Sequence, residues 1–378
     1  MSPTRVGANL MWLVPGVVGG SEEYSVRLLE AFHRSMPDDL ELVLFVNRSV
    51  PAAHPTLTAA FPTVVAPGSG RSRGARVALE STWLARQIRA EGVDLVHHLG
   101  GTMPMLRNVP GLVTIHDLQP FVHPEHFSLV KRAYLRATVP PSVRRAEVVV
   151  TLSEFTRRDV IERVGVDADR VVLVPPGLDQ PAPVPAELAA EVLRRHGLAD
   201  RPYVLYPAIT YVHKNHVALV QAFAHVARAD PAPMLVLTGG AADAEAELQA
   251  EIARLDLAGR VVRTGRVPVT DFDALFASAT ALAFPSRYEG FGMPVLEAMS
   301  RGVPVIASSN TALPEVVDGA GVLVDPDDVE GWAEAITTVL ADPARRAELI
   351  ALGRRRAGEF SWARSADALA DAYRQARP

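Results

Sequence analysis

Residues 285–304 read PSRYEGFGMPVLEAMSRGVP and follow an apolar run at 281–285. The pattern predicts the end of a strand, a glycine loop, a short helix over 294–301 and a further strand at 303–307. Pro294 suits a first helical position, where no backbone N–H is needed, and Gly302 suits the helix stop. The N-terminus of that helix then opens onto the loop GFGM. Backbone N–H groups of Met293, Val295 and Leu296 are expected to remain there for an anion such as a phosphate. Gly290 and Gly292 let a ligand approach the main chain closely. Glu289 lies in the loop and Glu297 one turn into the helix, so two carboxylates are available to accept hydrogen bonds from sugar and ribose hydroxyls. A plainer reading has Glu297 favouring the positive helix end and Glu289 solvated.

Upstream, residues 206–223 read YPAITYVHKNHVALVQAF. A strand ends near Ile209 and a helix starts around Asn215, which puts Lys214 on a loop at a strand's carboxyl end, where open α/β sheets bind ligands. Of 38 basic residues only Lys131 and Lys214 are lysine, the rest being arginine. A lysine against that background marks a place suited to a compact ammonium on a flexible stem, and at Lys214 it can stabilise the charge of a leaving diphosphate. His213 and His216 flank it and orient the loop.

Short apolar runs recur at 5–14, 40–47, 95–99, 112–117 and 147–152, and again at 203–209, 234–239, 281–285 and 303–307. They read as buried parallel strands. Helical patterns lie between them, at 22–33, 79–90, 217–229, 244–255 and 329–340, so the alternation is βαβα. The segment 174–185 carries Pro175, Pro176, Gly177, Pro181, Pro183 and Pro185, the strongest linker signal in the chain. The expected organisation is α/β: a Rossmann-like domain over 1–177, a second over 178–359 and a final helix over 360–378, with two doubly wound sheets and a cleft between the domains. In that last helix Trp362, Ala366, Leu369 and Tyr373 recur at helical spacing behind Ser361 as N-cap.

The bulk figures exclude several function classes. A chain of 378 residues suits two domains. A net charge of −5 supplies no basic field for nucleic acid. Without cysteine there is no disulfide, thiol nucleophile or cysteine metal site, and a cytoplasmic location fits. Gly7, Pro15 and Gly16 interrupt the N-terminal apolar stretch, which reads as a first strand and turn rather than a secretion signal. No apolar run reaches the ~18–20 residues of a membrane span.

In the first half, Gly16–Ser21 follow the first strand and open a helix, a seat for a distal phosphate without the G-x-G-x-x-G spacing of nicotinamide sites. VTIHDL, at 113–118, places His116 and Asp117 at a strand end. Arg71, Arg73 and Arg76, beside Gly68, Gly70 and Gly74, mark a mobile loop on the acceptor side. Lys131, Arg132, Arg136, Arg144 and Arg145 bracket a helical pattern that is either a solvated face or a peripheral contact with an anionic membrane or lipid-linked acceptor. The D-x-D at Asp325–Asp327 reads as a turn before a helix. His123-x-x-His126 contains Pro124 and lacks further ligands, so no metal site is expected there.

Taken together, GGSEEY, TIHD, SEFTRRD, YPAITYVHKN, TGRV, PSRYEGFGMPVLEAM and FSWAR resemble the GT4-type retaining glycosyltransferases of the GT-B fold across nearly the whole chain. The resemblance implies that Lys214 contacts the donor diphosphate, Glu297 the ribose, and Glu289 with the backbone of Phe291 and Gly292 the sugar hydroxyls. It implies His116 beside the sugar, Gly19 and Gly20 at the distal phosphate, Arg266 and Val267 beside the base, and a last helix that crosses back onto the first domain. Many relatives carry an arginine six positions before the lysine; here that position is Ala208, which throws phosphate neutralisation onto Lys214 and helix ends. The implied reaction moves a hexose, mannose first, from a GDP-, UDP- or dTDP-sugar to a glycan, lipid-linked or small-molecule hydroxyl, with no metal and no cofactor, in polysaccharide or glycoconjugate biosynthesis. A sugar-nucleotide epimerase and a catalytically silent sugar-nucleotide-binding subunit stay open as alternatives on the same plan.

Overall fold

The computed structural model describes residues 2–105 and 108–377. The chain forms two compact units, Met1–Gly177 with Phe360–Pro378, and Leu178–Glu359.

The first unit holds seven parallel strands: β1 (Thr4–Leu10), β2 (Leu40–Val46), β3 (Thr63–Val65), β4 (Leu95–His98), β5 (Gly111–Ile115), β6 (Val148–Thr151) and β7 (Val171–Leu173), in the order β3-β2-β1-β4-β5-β6-β7. The second holds six: β8 (Tyr203–Pro207), β9 (Met234–Thr238), β10 (Val261–Gly265), β11 (Ala281–Phe284), β12 (Val305–Ser308) and β13 (Val322–Val324), in the order β10-β9-β8-β11-β12-β13. Central strands such as β5, β6, β9 and β11 are buried at every residue, which is why they are written as unbroken apolar runs. The edge strands β3, β10 and β13 are only partly buried. In each sheet the strand order reverses once, between β1 and β4 and between β8 and β11, and the loops leaving the carboxyl ends of those strands frame a ligand crevice.

The C-terminal helix, Trp362–Gln375, belongs to the first unit, where it packs on the helix Gly20–Arg34. Ser361 Oγ caps it by accepting from Arg364 N at 3.3 Å. Tyr373 is fully buried, stands edge-on to Phe32 and shares a 3.0 Å hydrogen bond with His97 Nδ1, while His97 Nε2 pairs with Thr114 Oγ1 at 2.7 Å. Residues from both ends of the unit thus build one core.

One expectation needs correction: residues 73–76 are not a mobile loop, since Ser72 Oγ accepts from Ala75 N and caps a helix over Arg73–Leu79. The helical pattern over 79–90 is observed, and it continues that helix through a π-helical turn, Glu80–Leu84, into Ala85–Ala90. Glu80 at that turn is buried and accepts from Asn9 Nδ2 at 3.3 Å; burial raises its pKa. The D-x-D is a turn, with Asp325 Oδ1 accepting from Asp327 N at 2.9 Å and Asp328 capping the helix Val329–Ala341.

Candidate active site

In the second unit the loops after β8 and β11 are stitched together. His213 and Lys214 lie in a 3₁₀ turn, Val212–Lys214, ended by Asn215 in the left-handed region at φ 58°. Asparagine tolerates that conformation better than most residues, and here its amide ties the turn to a distant loop, Asn215 Nδ2 donating to the Pro326 carbonyl at 2.6 Å. Tyr206 OH donates to the Lys214 carbonyl at 2.6 Å, and Arg287 N donates to the His213 carbonyl at 2.8 Å. The buried His216 ring stacks obliquely on Tyr206 at 4.6 Å; burial first, and the charge of Arg263 next, lower its pKa to about 4. It is a packing element of the loop and carries no charge at neutral pH.

This brace aims Lys214 at Glu289. Nζ lies 2.6 Å from Oε1, with 19% and 13% of the two side chains exposed, and the ammonium sits 5.7 Å from the Phe284 ring centroid. Glu289 is therefore ion-paired rather than solvated. Its own N–H donates to Thr311 Oγ1 at 3.2 Å, and Asn310 Nδ2 donates to the Arg287 carbonyl at 2.9 Å, so the loop after β12 supports the loop after β11.

The helix beyond the loop spans Met293–Ser300 and is capped by Gly292 at φ 112°. The backbone conformation there favours glycine, and a Cβ at Gly292 would meet Leu313 Cδ2 at 2.6 Å and have to push that side chain aside. The expectation that Val295 offers a free N–H is corrected: it donates to the Gly292 carbonyl at 3.0 Å, because the first turn tightens there. With Pro294 lacking an N–H and Leu296 already a full turn beyond the Gly292 cap, Met293 is the donor left from that set at the helix mouth. Phe291 is buried and Glu297 half-buried one turn into the helix. Arg266 and Val267 lie on the loop after β10, where Arg266 is exposed and covers Gly240.

In the first unit, Gly19 caps the helix Gly20–Arg34 at φ 65°, and nothing lies within 4 Å of where a Cβ on Gly19 or Gly20 would stand. Glu22 holds the turn from below, accepting from Gly16 N and pairing with His54 Nε2, each at 2.8 Å. His116 follows β5, edge-on to Tyr24 at 5.5 Å and tilted against Trp12 at 6.0 Å. Its Nε2 lies 2.9 Å from the Leu99 carbonyl, which can only accept, so Nε2 carries the proton and Nδ1 keeps a lone pair. Nδ1 is buried with no partner among the described residues. Burial lowers the His116 pKa to about 4, against a smaller upward pull from the Leu99 carbonyl.

The expectation that His123 and His126 lack a further ligand is also corrected. Glu125 Oε1 lies 3.1 Å from His123 Nδ1 and 3.8 Å from His126 Nε2, and these are the one group among the described residues spaced to hold a metal ion. The carboxylate between two imidazoles is equally served by hydrogen bonding. Tyr206, Asn215, Asn310 and Thr311, which hold the Lys214–Glu289 pair in place, were not anticipated; the left-handed asparagine after a strand end was the one available signal.

Residues 191–356 match the family model described as glycosyl transferases group 1, and residues 18–180 match glycosyltransferase family 4. The chain is 34% identical to O-antigen chain mannosyltransferase B of Escherichia coli over 70% of each chain. It is 30% identical over 96% of each chain to alpha-maltose-1-phosphate synthase of Mycolicibacterium smegmatis. Among solved structures, sucrose-phosphate synthase of Thermosynechococcus elongatus superposes with a TM-score of 0.78 over 98% of both chains at 23% identity. HepE of Anabaena, crystallised with UDP and glucose, gives 0.78 over 98% of this chain and 99% of that one at 22% identity. These likenesses show the GT-B fold of two parallel-sheet α/β domains.

Proposed function

The chain belongs to glycosyltransferase family 4, and on that footing we propose that it transfers a hexose, mannose first, from a nucleoside-diphosphate sugar to an acceptor hydroxyl with retention of anomeric configuration. The observation that carries this reading is the Lys214 ammonium, held 2.6 Å from Glu289 beside the N-terminus of the helix Met293–Ser300. A cation and a helix N-terminus on one crevice suit a diphosphate, and the neighbouring carboxylates suit hydroxyls.

In the proposed roles, Lys214 and the N–H of Met293 take the diphosphate with Leu296 packed behind, Glu297 the ribose, and Glu289 with the backbone of Phe291 and Gly292 the sugar. Val295 packs behind them. Arg266 and Val267 border the base, and Gly19 and Gly20 receive the distal phosphate. The bond from the anomeric carbon to the diphosphate oxygen breaks as the acceptor oxygen adds from the same face, and the acceptor proton passes to the leaving phosphate. No side chain acts as nucleophile. His116, neutral and with its Nδ1 lone pair uncommitted, accepts from a sugar hydroxyl and fixes the donor pose. No metal is required, because Lys214 and the helix N-terminus stabilise the departing charge. GDP-mannose is the first donor to test, since three of the curated relatives are named as mannosyltransferases and one of them as GDP-mannose-dependent. Among the described residues no helix is long and apolar enough to cross a membrane; we place the reaction in the cytoplasm or at a membrane's inner face.

The test is thermal stabilisation by GDP, UDP, dTDP, ADP and NAD, with wild type beside Lys214→Ala and Glu297→Ala. Selective stabilisation by one nucleoside diphosphate, weakened in both variants, supports the site and names the base. No shift with any nucleotide, or a shift with NAD alone, removes the transferase reading.

A further inference from the structure

Two aromatic rings pack on His116, and only one of them has its polar atom engaged. Tyr24 stands edge-on to the imidazole at 5.5 Å, and its hydroxyl donates to the Val174 carbonyl at 2.8 Å. Trp12 tilts against the same imidazole at 6.0 Å and 51°, and its indole Nε1–H has no acceptor among the described residues. The tryptophan is 8% exposed. A donor shielded from water and left without an acceptor costs free energy that a bound acceptor returns. Packing alone does not call for an N–H in this place, since phenylalanine would fill it without an orphan donor.

The chain nonetheless fixes Trp12 from both sides. Asn47, itself 1% exposed, donates through Nδ2 to the carbonyls of Met11 and Leu13, at 3.3 and 2.6 Å, which flank the tryptophan in sequence. Gly100 gives the indole its seat, because a Cβ there would stand 2.4 Å from Cγ and 2.6 Å from Cδ1 of Trp12. The residue before it, Leu99, supplies the carbonyl that accepts from His116 Nε2 at 2.9 Å. Two successive residues after β4 thus set indole and imidazole in one arrangement. It carries one donor, Trp12 Nε1–H, and one acceptor, His116 Nδ1, neither with a partner among the described residues.

The group that answers a donor and an acceptor at once is a hydroxyl, which accepts through its lone pairs and donates its own hydrogen. A phosphate or carboxylate oxygen would set its lone pairs against that of Nδ1, and an ammonium its hydrogens against the indole N–H. Two hydrogen bonds through one oxygen bridge about 5.5–6 Å, a span comparable with the 6.0 Å between the two ring centroids. We propose that Trp12 is a second carbohydrate-binding residue of the first unit, its indole N–H donating to the hydroxyl oxygen whose hydrogen goes to His116 Nδ1. The inference rests on the glycosyltransferase reading and adds to it a residue that selects for a hydroxyl at one position of a sugar. That sugar has two sources, the hexose of the donor or a glycan acceptor.

The experiment uses the full chain with its four tryptophan indole nitrogens isotope-labelled for magnetic resonance, the Trp12 signal being identified by its loss in Trp12→Phe. The nucleoside diphosphate that stabilises the chain is added first, then its hexose conjugate in its place, GDP-mannose for GDP or UDP-glucose for UDP. Mannobiose is titrated separately onto the chain loaded with nucleoside diphosphate. The Trp12 N–H signal should move with one of the two sugars and not with the nucleoside diphosphate alone. Movement with the hexose conjugate assigns the hydroxyl to the donor, and movement with mannobiose assigns it to an acceptor. Trp12→Phe should bind that sugar ligand about tenfold more weakly, the weight of one hydrogen bond, with nucleoside diphosphate affinity unchanged; a tryptophan that only supports the fold would lower both together. A Trp12 signal unmoved by either sugar in a chain that binds the nucleoside diphosphate, or one moved by the nucleoside diphosphate alone, overturns the proposal and leaves the transferase reading standing. So does equal sugar affinity in wild type and Trp12→Phe. A chain that no nucleotide stabilises fails the transferase reading instead, and the mannobiose titration alone then decides for Trp12.

Discussion

The ammonium of Lys214 lies 2.6 Å from Oε1 of Glu289, although the two residues are 75 apart in sequence. They meet because β8 and β11 are neighbours in the sheet and each sends a short loop from its carboxyl end. A diphosphate arriving at Lys214 must share or displace this carboxylate. Lys214→Ala should therefore lower kcat/KM by about a hundredfold to a thousandfold, the range found when a donor to developing charge is removed. Glu289→Gln, which frees the ammonium, should hold the nucleoside diphosphate at least as tightly while transferring sugar more slowly. Steady-state kinetics beside nucleotide titration separates the two, and weaker nucleotide binding in Glu289→Gln would argue against the arrangement.

His116 offers its Nδ1 lone pair and, with a pKa near 4, remains neutral across the physiological range. Replacement by alanine should reduce kcat by about a hundredfold, as for loss of one preorganised polar contact, with nucleoside diphosphate affinity unchanged. A pH–rate profile should show no inflection from this residue above about pH 5. An equal loss of nucleotide binding would assign His116 to the fold instead.

Gly292→Ala combines a backbone at φ 112° with a Cβ 2.6 Å from Leu313 Cδ2. Strain of this kind costs about 1–3 kcal/mol, and the helix N-terminus moves with it. Urea denaturation should show the lost stability and a nucleotide titration the lost affinity; an unchanged midpoint contradicts the assignment.

Three histidines whose surroundings disfavour the charged ring, His97, His116 and His216, contribute to the acid response. Burial lowers His97 to about 3 and His116 and His216 to about 4, against an ordinary value of about 6.5 in the unfolded chain. From pH 6.5 downward the unfolded chain takes up protons that the folded chain refuses, so stability falls with pH until about 4, where His116 and His216 also titrate in the folded state. Denaturant midpoints at pH 7, 6 and 5 should decline in order. A flat series would show that these rings are not buried neutral.

Chelation probes the proposed division of labour at the phosphate. With Lys214 and the helix N-terminus supplying the positive charge, the transfer rate should be the same before and after dialysis against EDTA. A rate that collapses and returns with a divalent cation would reassign that role.

The central strands were legible because burial on both faces writes them as unbroken apolar runs. The edges were not: β3 and β13 have three residues each, and β10 carries Arg263 and Thr264, half-buried where no strand covers them. The placement of the second-unit candidates was readable where residue type alone restricts it, as with a lysine among arginines or a glycine before a proline-started helix. The partnership of Lys214 with Glu289, the bracing by Thr311 and Asn310, and the Val295 N–H turned inward all depend on strands adjacent in space and distant in sequence. The helix at Arg73–Leu79 was hidden by the glycines around it, since Ser72, which starts it, follows directly on Gly70 and Arg71.

The packing of Trp362–Gln375 against Gly20–Arg34, sealed by Tyr373 on His97, also orders events during synthesis. Ribosomes release residues 178–359 before the segment that completes the first unit's core. The unit begun first is therefore finished last, after every strand of the other has already left the ribosome. A chain stopped near residue 359 would carry a complete second sheet beside a first one whose His97, Phe32 and helix Gly20–Arg34 still lacked their cover, a nascent state that invites chaperones and proteases until the final helix arrives.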